Sequence, residues 1–466
     1  MGDMPATVHW LSRRPAPAAP QAVPSARFDL ADFAPALKTR LLILQPTPFC
    51  NIACDYCYLP ERDSKARMSL ATVRAAARRL RDDGLLGEQL TVVWHAGEPL
   101  AMPVAFYTEA FAAVADEIGA RCEVSHAIQT NATLIDDAWC ALFKANEVRI
   151  GVSVDGPAEL HDAHRRTRTG KGTFEAVLRG MARLREHGIA FHAIAVVTAA
   201  TFAHADAFVD FFEQQGVHDL GCNFDEAEGA HLCSSLTGQE AAHAAFVEHL
   251  LERSIASAGG LRVREIATAL QLLKAPLPMW TWRGEAFPDN AQVLPFALVT
   301  VAHNGDFATF SPELLGQPSA AFGNFILGNV GCEGYVGAAQ SMRFARLWQA
   351  IMQGTRACAQ TCTHFGFCGG GAPANKFYEN GDLASTETLY CRTMSSGRST
   401  PCCAGWNTTQ TLRPPRRGVE YHDTHRELAW RESGSRTALT ARSSATRTRM
   451  IAAGTTGSPA SARNST

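Results

Sequence analysis

Cys50, Cys54 and Cys57 stand within eight residues of one another and give the chain its strongest chemical signal. Three thiolates on one short loop can wrap a compact metal centre, yet they are one ligand short of closing it. A 4Fe–4S cubane held in this way keeps one iron free of protein and open to an exogenous bidentate ligand, such as an α-amino and α-carboxylate pair. A structural zinc site is the alternative, because tetrahedral zinc accepts mixed Cys and His ligands, although no suitable fourth ligand lies close by in the sequence.

A second group, Cys358, Cys362, Cys368 and Cys391, supplies four thiolates, and the run Gly369-Gly370-Gly371 lets the backbone bend tightly around them. Four ligands close a site, and the residue types alone fit a fully ligated 4Fe–4S cluster or a tetrahedral zinc equally well. Seven of the 14 cysteines fall in these two groups, so the thiols point to metal in a reducing, cytoplasmic setting rather than to disulfides. Cys122, Cys140, Cys222 and Cys233 read as ordinary buried or surface thiols. Cys332, Cys402 and Cys403 are available to a further cluster.

The elements that must position these groups follow from hydrophobic periodicity. Apolar strands are expected at 41–45, 90–94, 124–129, 148–154, 189–197 and 220–224, alternating with amphipathic helices at 70–81, 104–118, 136–145, 174–186, 203–214 and 240–257. Ser69 is a helix cap, and Val73, Ala76, Ala77 and Leu80 form an apolar stripe after it. Six strand-helix units in series imply an α/β fold: a parallel sheet with right-handed crossovers, curled into a partial (β/α)6 barrel. Chemistry in such a barrel sits at the C-terminal strand ends. The polar motifs all fall there: Pro46 to Cys57, His95 to Pro99, Gln129 to Thr133 and Ser153 to Arg165. Singly, such Ser, Asn and Asp residues read equally as caps and turns, and Arg165 as a solvated member of the charged run 161–168. Farther on, Asn304-Gly305 joins 298–301 to 306–310 as a hairpin that opens a second unit.

These readings divide the chain into an N-terminal extension (1–38), rich in Pro and Ala and without chemistry, a barrel (39–260), a linker and cysteine-rich module (261–394), and a disordered tail (395–466). A formal net charge of −2 gives no global pull toward nucleic acid or an anionic membrane, and no apolar run is long enough to span a bilayer.

Cys50, Cys54, Tyr56 and Cys57 match C-x3-C-x-aromatic-C, and here the sequence resembles the radical S-adenosylmethionine (SAM) superfamily. The resemblance implies a reduced 4Fe–4S cluster that cleaves SAM to a 5′-deoxyadenosyl radical. It assigns Tyr56, Gly97, Glu98, Pro99, Asn131, Ser153 and Arg165 to SAM, with Ala96 where the family carries the first glycine of Gly-Gly-Glu-Pro, and with Arg165 placed to clamp a carboxylate. The second cysteine group resembles a SPASM domain, which implies an auxiliary 4Fe–4S cluster. Phe310 stands where a further SPASM cysteine is expected, so one auxiliary cluster is implied. From Leu41 to Cys391 the chain is most similar to GrrM-type radical SAM/SPASM maturases, which form cyclophane crosslinks in ribosomally made precursor peptides and take electrons from an external flavodoxin- or ferredoxin-like donor. The runner-up resemblance is to anaerobic sulfatase maturases, which oxidise Cys or Ser to formylglycine; their Cys-Asp pair falls at Phe310-Ser311. Glu313, two residues on, is the candidate base in either case. A zinc-stabilised binding protein without catalysis is the reading from another class.

Overall fold

The computed structural model describes residues 27–257 and 260–396. Cys402, Cys403, the first 26 residues and the expected tail after 396 lie outside them.

The expected alternation is what folds. Strands β1 (Thr39–Leu44) and β2 (Ile52–Cys54) are followed by helix α1 (Leu70–Asp82), then β3 (Leu86–Trp94), α2 (Val104–Ile118), β4 (Glu123–Thr130), α3 (Asp137–Ala145) and β5 (Arg149–Ser153). Next come β6 (Arg165–Thr167), α4 (Phe174–Glu186), β7 (Phe191–Val197), α5 (Ala205–Gln214), β8 (Asp219–Phe224) and α6 (Glu240–Ala256). In the main sheet β8, β7, β5, β4, β3 and β1 lie side by side, every neighbouring pair parallel.

The outer face of this sheet holds the core. Leu42, Leu44, Val92, Trp94, Ile128 and Val152 are buried against the helices, and the stripe Val73, Ala76, Ala77 and Leu80 faces them from α1. Burying side chains the size of Val or Leu contributes roughly 1.5–3 kcal/mol each. The cap forms as expected, with the Thr72 amide donating to Ser69 Oγ at 3.1 Å.

Two expectations need correction. The segment 46–57 reads as a loop, yet it contains β2, which pairs antiparallel with β6 so that Cys54 lies opposite Arg165. The hairpin at Asn304-Gly305 forms from β9 (Leu298–Val301) and β10 (Asp306–Thr309), but it does not open a separate unit. Instead β9 adds in parallel to β1, Leu298 beside Leu41 through Val301 beside Leu44, and extends the barrel sheet. All four β9 residues are buried. A strand covered on both faces is an apolar run whether it stands alone or edges a larger sheet, so its sequence does not reveal the partner.

The cysteine-rich segment follows on helices α7 (Met342–Thr361) and α8 (Pro373–Asn380). The described part of the N-terminal extension wraps the surface here. Phe28 packs its ring against Phe33, Phe296 and Phe344 at 5.6, 5.7 and 5.1 Å.

Candidate active site

The first cysteine loop is held by its backbone. Arg62 Nη1 donates to Cys54 O at 2.7 Å, Arg168 donates to Cys50 O through Nε at 2.8 Å and Nη2 at 2.6 Å, and the Cys50 amide donates to Arg62 O. Both arginines escaped the sequence reading. They act on carbonyls that carry no sequence signal, and Arg168 reaches across 118 residues.

Side-chain donors approach the sulfurs. Asn131 Nδ2 stands 3.9 Å from Cys50 Sγ, and Arg165 Nη1 stands 4.0 Å from Cys54 Sγ. Burial pushes the Cys50 thiol up to about 12, with the Glu98 carboxylate and the other two thiols adding to it; burial likewise pushes Cys54 up to about 11. The three thiols are therefore near enough to act on one another. Tetrahedral zinc holds each thiolate sulfur about 2.3 Å from one point. Among the described residues no three His, Cys, Asp or Glu side chains converge on such a point.

The residues expected around SAM gather at this mouth, but several are engaged within the protein. Glu98 Oε1 accepts from the Leu100 amide and Thr130 Oγ1 at 2.9 and 2.7 Å, and Oε2 accepts from the Asn131 amide at 2.8 Å. Glu98 thus ties the β3 end to the β4 end. Burial raises its carboxyl above the usual value, and those donors pull it back. Gly97, at φ +59°, touches the cysteine loop itself: an added Cβ would stand 2.4 Å from Thr47 O and 2.6 Å from Phe49 O. Pro99 O accepts from the Tyr107 hydroxyl. Ser153 Oγ accepts from Gln129 Nε2 at 2.8 Å.

Arg165 is not the solvated residue that the charged run 161–168 suggests. It is buried, and its guanidinium forks onto Asp155 at 2.9 and 3.0 Å, so the carboxylate it clamps is the protein's own. Tyr56 donates to the same carboxylate at 2.5 Å, and the Val196 amide donates at 2.9 Å. The remaining Nη1 is the group that approaches Cys54.

Ala96 has φ +73°. The alanine in place of the family's glycine is therefore a matter of backbone strain rather than size, because a left-handed conformation costs an L-residue roughly 1–2 kcal/mol. Ala96→Gly recovers that strain less the entropy lost in ordering a glycine. We expect the variant to be more stable by about 0.5–1 kcal/mol in urea titration; equal or lower stability would contradict this account.

In the second group Cys358 is buried at the end of α7, and Cys362, Cys368 and Cys391 are half-buried. Burial raises the Cys368 thiol, and Cys391, Cys358 and Cys362 raise it further. Thr388 Oγ1 lies 3.2 Å from Cys391 Sγ, and Lys376 Nζ lies 3.4 Å from Cys358 Sγ. Cys122, Cys140 and Cys222 are buried, and Cys233 and Cys332 are exposed. Phe310 is buried and stacks on Trp348 at 5.8 Å and 7°.

Glu313 has a neighbour that the sequence reading missed. Burial and then the charge of Glu313 raise Glu228 well above the carboxylate range, while burial raises Glu313. Two close carboxyls titrate as a unit. Burial, and then Glu313, Cys57 and Glu228, also raise the Tyr58 hydroxyl, which places this carboxyl pair beside the first cysteine loop. The Glu228 segment is pinned there by the Ala230 amide donating to Tyr58 O at 3.0 Å. The Tyr378 hydroxyl donates to Glu313 O at 3.2 Å.

The site is a three-cysteine loop at the C-terminal strand ends of a parallel α/β sheet. The description "Radical SAM superfamily" matches residues 44–212. The chain is 38% identical over 371 residues to the uncharacterized protein sll1766 of Synechocystis sp., covering 78% of this chain and 90% of that one. The chain belongs to the radical SAM superfamily, whose members use a 4Fe–4S cluster and SAM; this replaces the zinc-stabilised, non-catalytic reading. A serine-type anaerobic sulfatase-maturating enzyme of Bacteroides thetaiotaomicron is 31% identical over 226 residues, 46% of this chain and 54% of that one. The chain spans about half the length of the sulfatase-maturating relatives it matches. The fold is that of anSMEcpe solved with AdoMet and the Cp18Cys peptide (TM-score 0.65, 17% identity, covering 79% of this chain and 98% of that one). Streptococcus suis SuiB, solved with its precursor peptide SuiA, aligns with TM-score 0.52 at 14% identity over 76% of each chain. Among the described residues no helix is long and apolar enough to cross a membrane.

Proposed function

We propose that this chain is a radical SAM peptide maturase that joins an unactivated side-chain carbon of a ribosomally made precursor peptide to an aromatic ring. With a 4Fe–4S cluster on Cys50, Cys54 and Cys57 and SAM at its open iron, the site would supply a 5′-deoxyadenosyl radical for hydrogen abstraction. The residues present suit that group: three gathered thiols, with Asn131 and Arg165 as donors at two sulfurs. Gly97, Glu98, Pro99, Asn131, Ser153 and Tyr56 shape the mouth around SAM. Cys358, Cys362, Cys368 and Cys391 would hold an auxiliary 4Fe–4S cluster, a ready electron acceptor. An external flavodoxin- or ferredoxin-like protein is the electron donor, and the setting is cytoplasmic.

The observation that carries this reading is Phe310, a buried aromatic where the sulfatase maturases' cysteine is expected, while the carboxyls near Cys57 and Tyr58 would supply a base. Coupling to a ring leaves an electron and a proton to remove, and Glu313 is the carboxyl placed to take the proton. Because burial raises the Glu313 carboxyl, activity should rise with pH through a limb lying above the ordinary value of 4.5. Glu313→Gln should leave SAM cleavage intact and lower crosslinking by roughly 10²–10⁴-fold, the usual worth of general-base catalysis. Unchanged product formation would remove Glu313 from the reaction.

Formylglycine formation is the second reading, favoured by the identity to sulfatase-maturating enzymes. Against it, Phe310 is a buried core aromatic at the position of the expected cysteine. Both reactions on a serine-containing peptide remove two hydrogens, so mass alone does not separate them. A carbonyl reagent labels only formylglycine, and tandem mass spectrometry finds a fragment-resistant ring only after crosslinking.

A further inference from the structure

Lys376 is buried on α8, and its ammonium lies 3.4 Å from Cys358 Sγ. Among the described residues it forms no ion pair with a carboxylate. The slot it occupies is prepared by Gly354, one turn before Cys358 on α7. An added Cβ there would stand 3.0 Å from Lys376 Nζ, 2.4 Å from Leu383 O and 3.1 Å from Ser385 O. Those carbonyls offer partial negative charge, but a buried ammonium still needs a full counter-charge to offset several kcal/mol of desolvation. The Cys358 sulfur is the group positioned to carry it.

We propose that Lys376 is a positioning residue for the auxiliary centre: its ammonium, set against Cys358 Sγ, holds that ligand in place and raises the centre's reduction potential, making it a better electron acceptor. This rests on the auxiliary-cluster reading above. Reduction adds one negative charge to a cluster already carrying anionic ligands. A cation in hydrogen-bond reach of one ligand sulfur, inside low-dielectric protein, stabilises the reduced state more than the oxidised one. Lysine holds this charge at a compact ammonium on a flexible stem, and methionine replaces the stem without the charge.

The test is an EPR-monitored redox titration of the reconstituted holoenzyme with dithionite as reductant, comparing wild type, Lys376→Met and Lys376→Arg, with iron per chain measured in each. SAM perturbs the signal of the cluster with the open iron, so the SAM-insensitive signal reports the auxiliary centre. The expected result is unchanged iron in all three and a SAM-insensitive centre that is about tenfold harder to reduce in Lys376→Met, 59 mV for a one-electron couple, with Lys376→Arg near wild type. Loss of the centre from Lys376→Met alone also supports the proposal, since it shows that the charge is needed to hold the thiolate. An unmoved potential at full iron content, equal shifts in both variants, or loss of the centre from both overturns it. If wild type itself carries only a SAM-sensitive signal, the auxiliary-cluster reading fails, and that failure is visible without any variant.

Discussion

Cys54→Ala should abolish 5′-deoxyadenosine formation from SAM under reducing, anaerobic conditions. Cys54 is a central member of the triplet: it is buried, its carbonyl is held by Arg62, and its sulfur is approached by Arg165. Removing even an outer-shell partner of a metal ligand costs about 10–100-fold in metal affinity or activity, so loss of a ligand should cost on the order of 100-fold or more. Iron per chain and 5′-deoxyadenosine by chromatography check this together. Cleavage that persists in the variant would mean that Cys50, Cys54 and Cys57 are not the ligand set. Wild type that takes up iron yet cleaves no SAM would sink the functional reading itself.

Asp155→Ala should be the most damaging substitution outside the cysteines. The carboxylate receives two bonds from Arg165, one from Tyr56 and one from the Val196 amide, joining the β5 end, the β7 strand and the antiparallel pair of β2 with β6. Burial alone would raise its pKa, but the Arg165 guanidinium, aided by His161 and Tyr56, holds it below the ordinary 3.8. Without it Arg165 keeps a buried charge with no carboxylate beside Cys54. Breaking a buried pair from one side costs about 3–5 kcal/mol, measurable by urea unfolding of the cluster-free protein. A carboxyl with a depressed folded pKa contributes stability that is present above its unfolded value and lost as pH falls through the folded one. The gap between wild type and Asp155→Ala should therefore be full at neutral pH and close in acid. A loss below about 1 kcal/mol would show the pair to be no stronger than a surface ion pair.

These two residues mark the limit of what was legible in the sequence. Cys54 announces itself, because three thiols at that spacing are a local pattern. Asp155 reads as an ordinary turn residue after a strand, and nothing in its neighbourhood says that Arg165 will turn inward rather than lie in solvent. Glu313 was legible as a candidate base two residues past the expected Cys-Asp pair; its neighbour Glu228 lies 85 positions earlier. Lys376, Arg62 and Arg168 carried no local signal of their partners.

The amino-acid sequence by itself determined the alternation of strands and helices from Thr39 to Ala256, the cap at Ser69, the hairpin at Asn304-Gly305 and both sets of thiols. Those features are written in spacings of a few residues, where hydrophobic period and turn chemistry act directly on the local backbone. Tertiary structure decided the rest: that β9 joins the edge of β1, that Arg165 takes Asp155, that two glutamates share a wall with Tyr58, and that one lysine is buried against Cys358. Each is a choice of partner by a single strand or polar side chain across a long stretch of chain. Such a choice depends on which groups packing has already removed from water, because desolvation is what turns a charged side chain from a neutral surface feature into one that must find its counterpart.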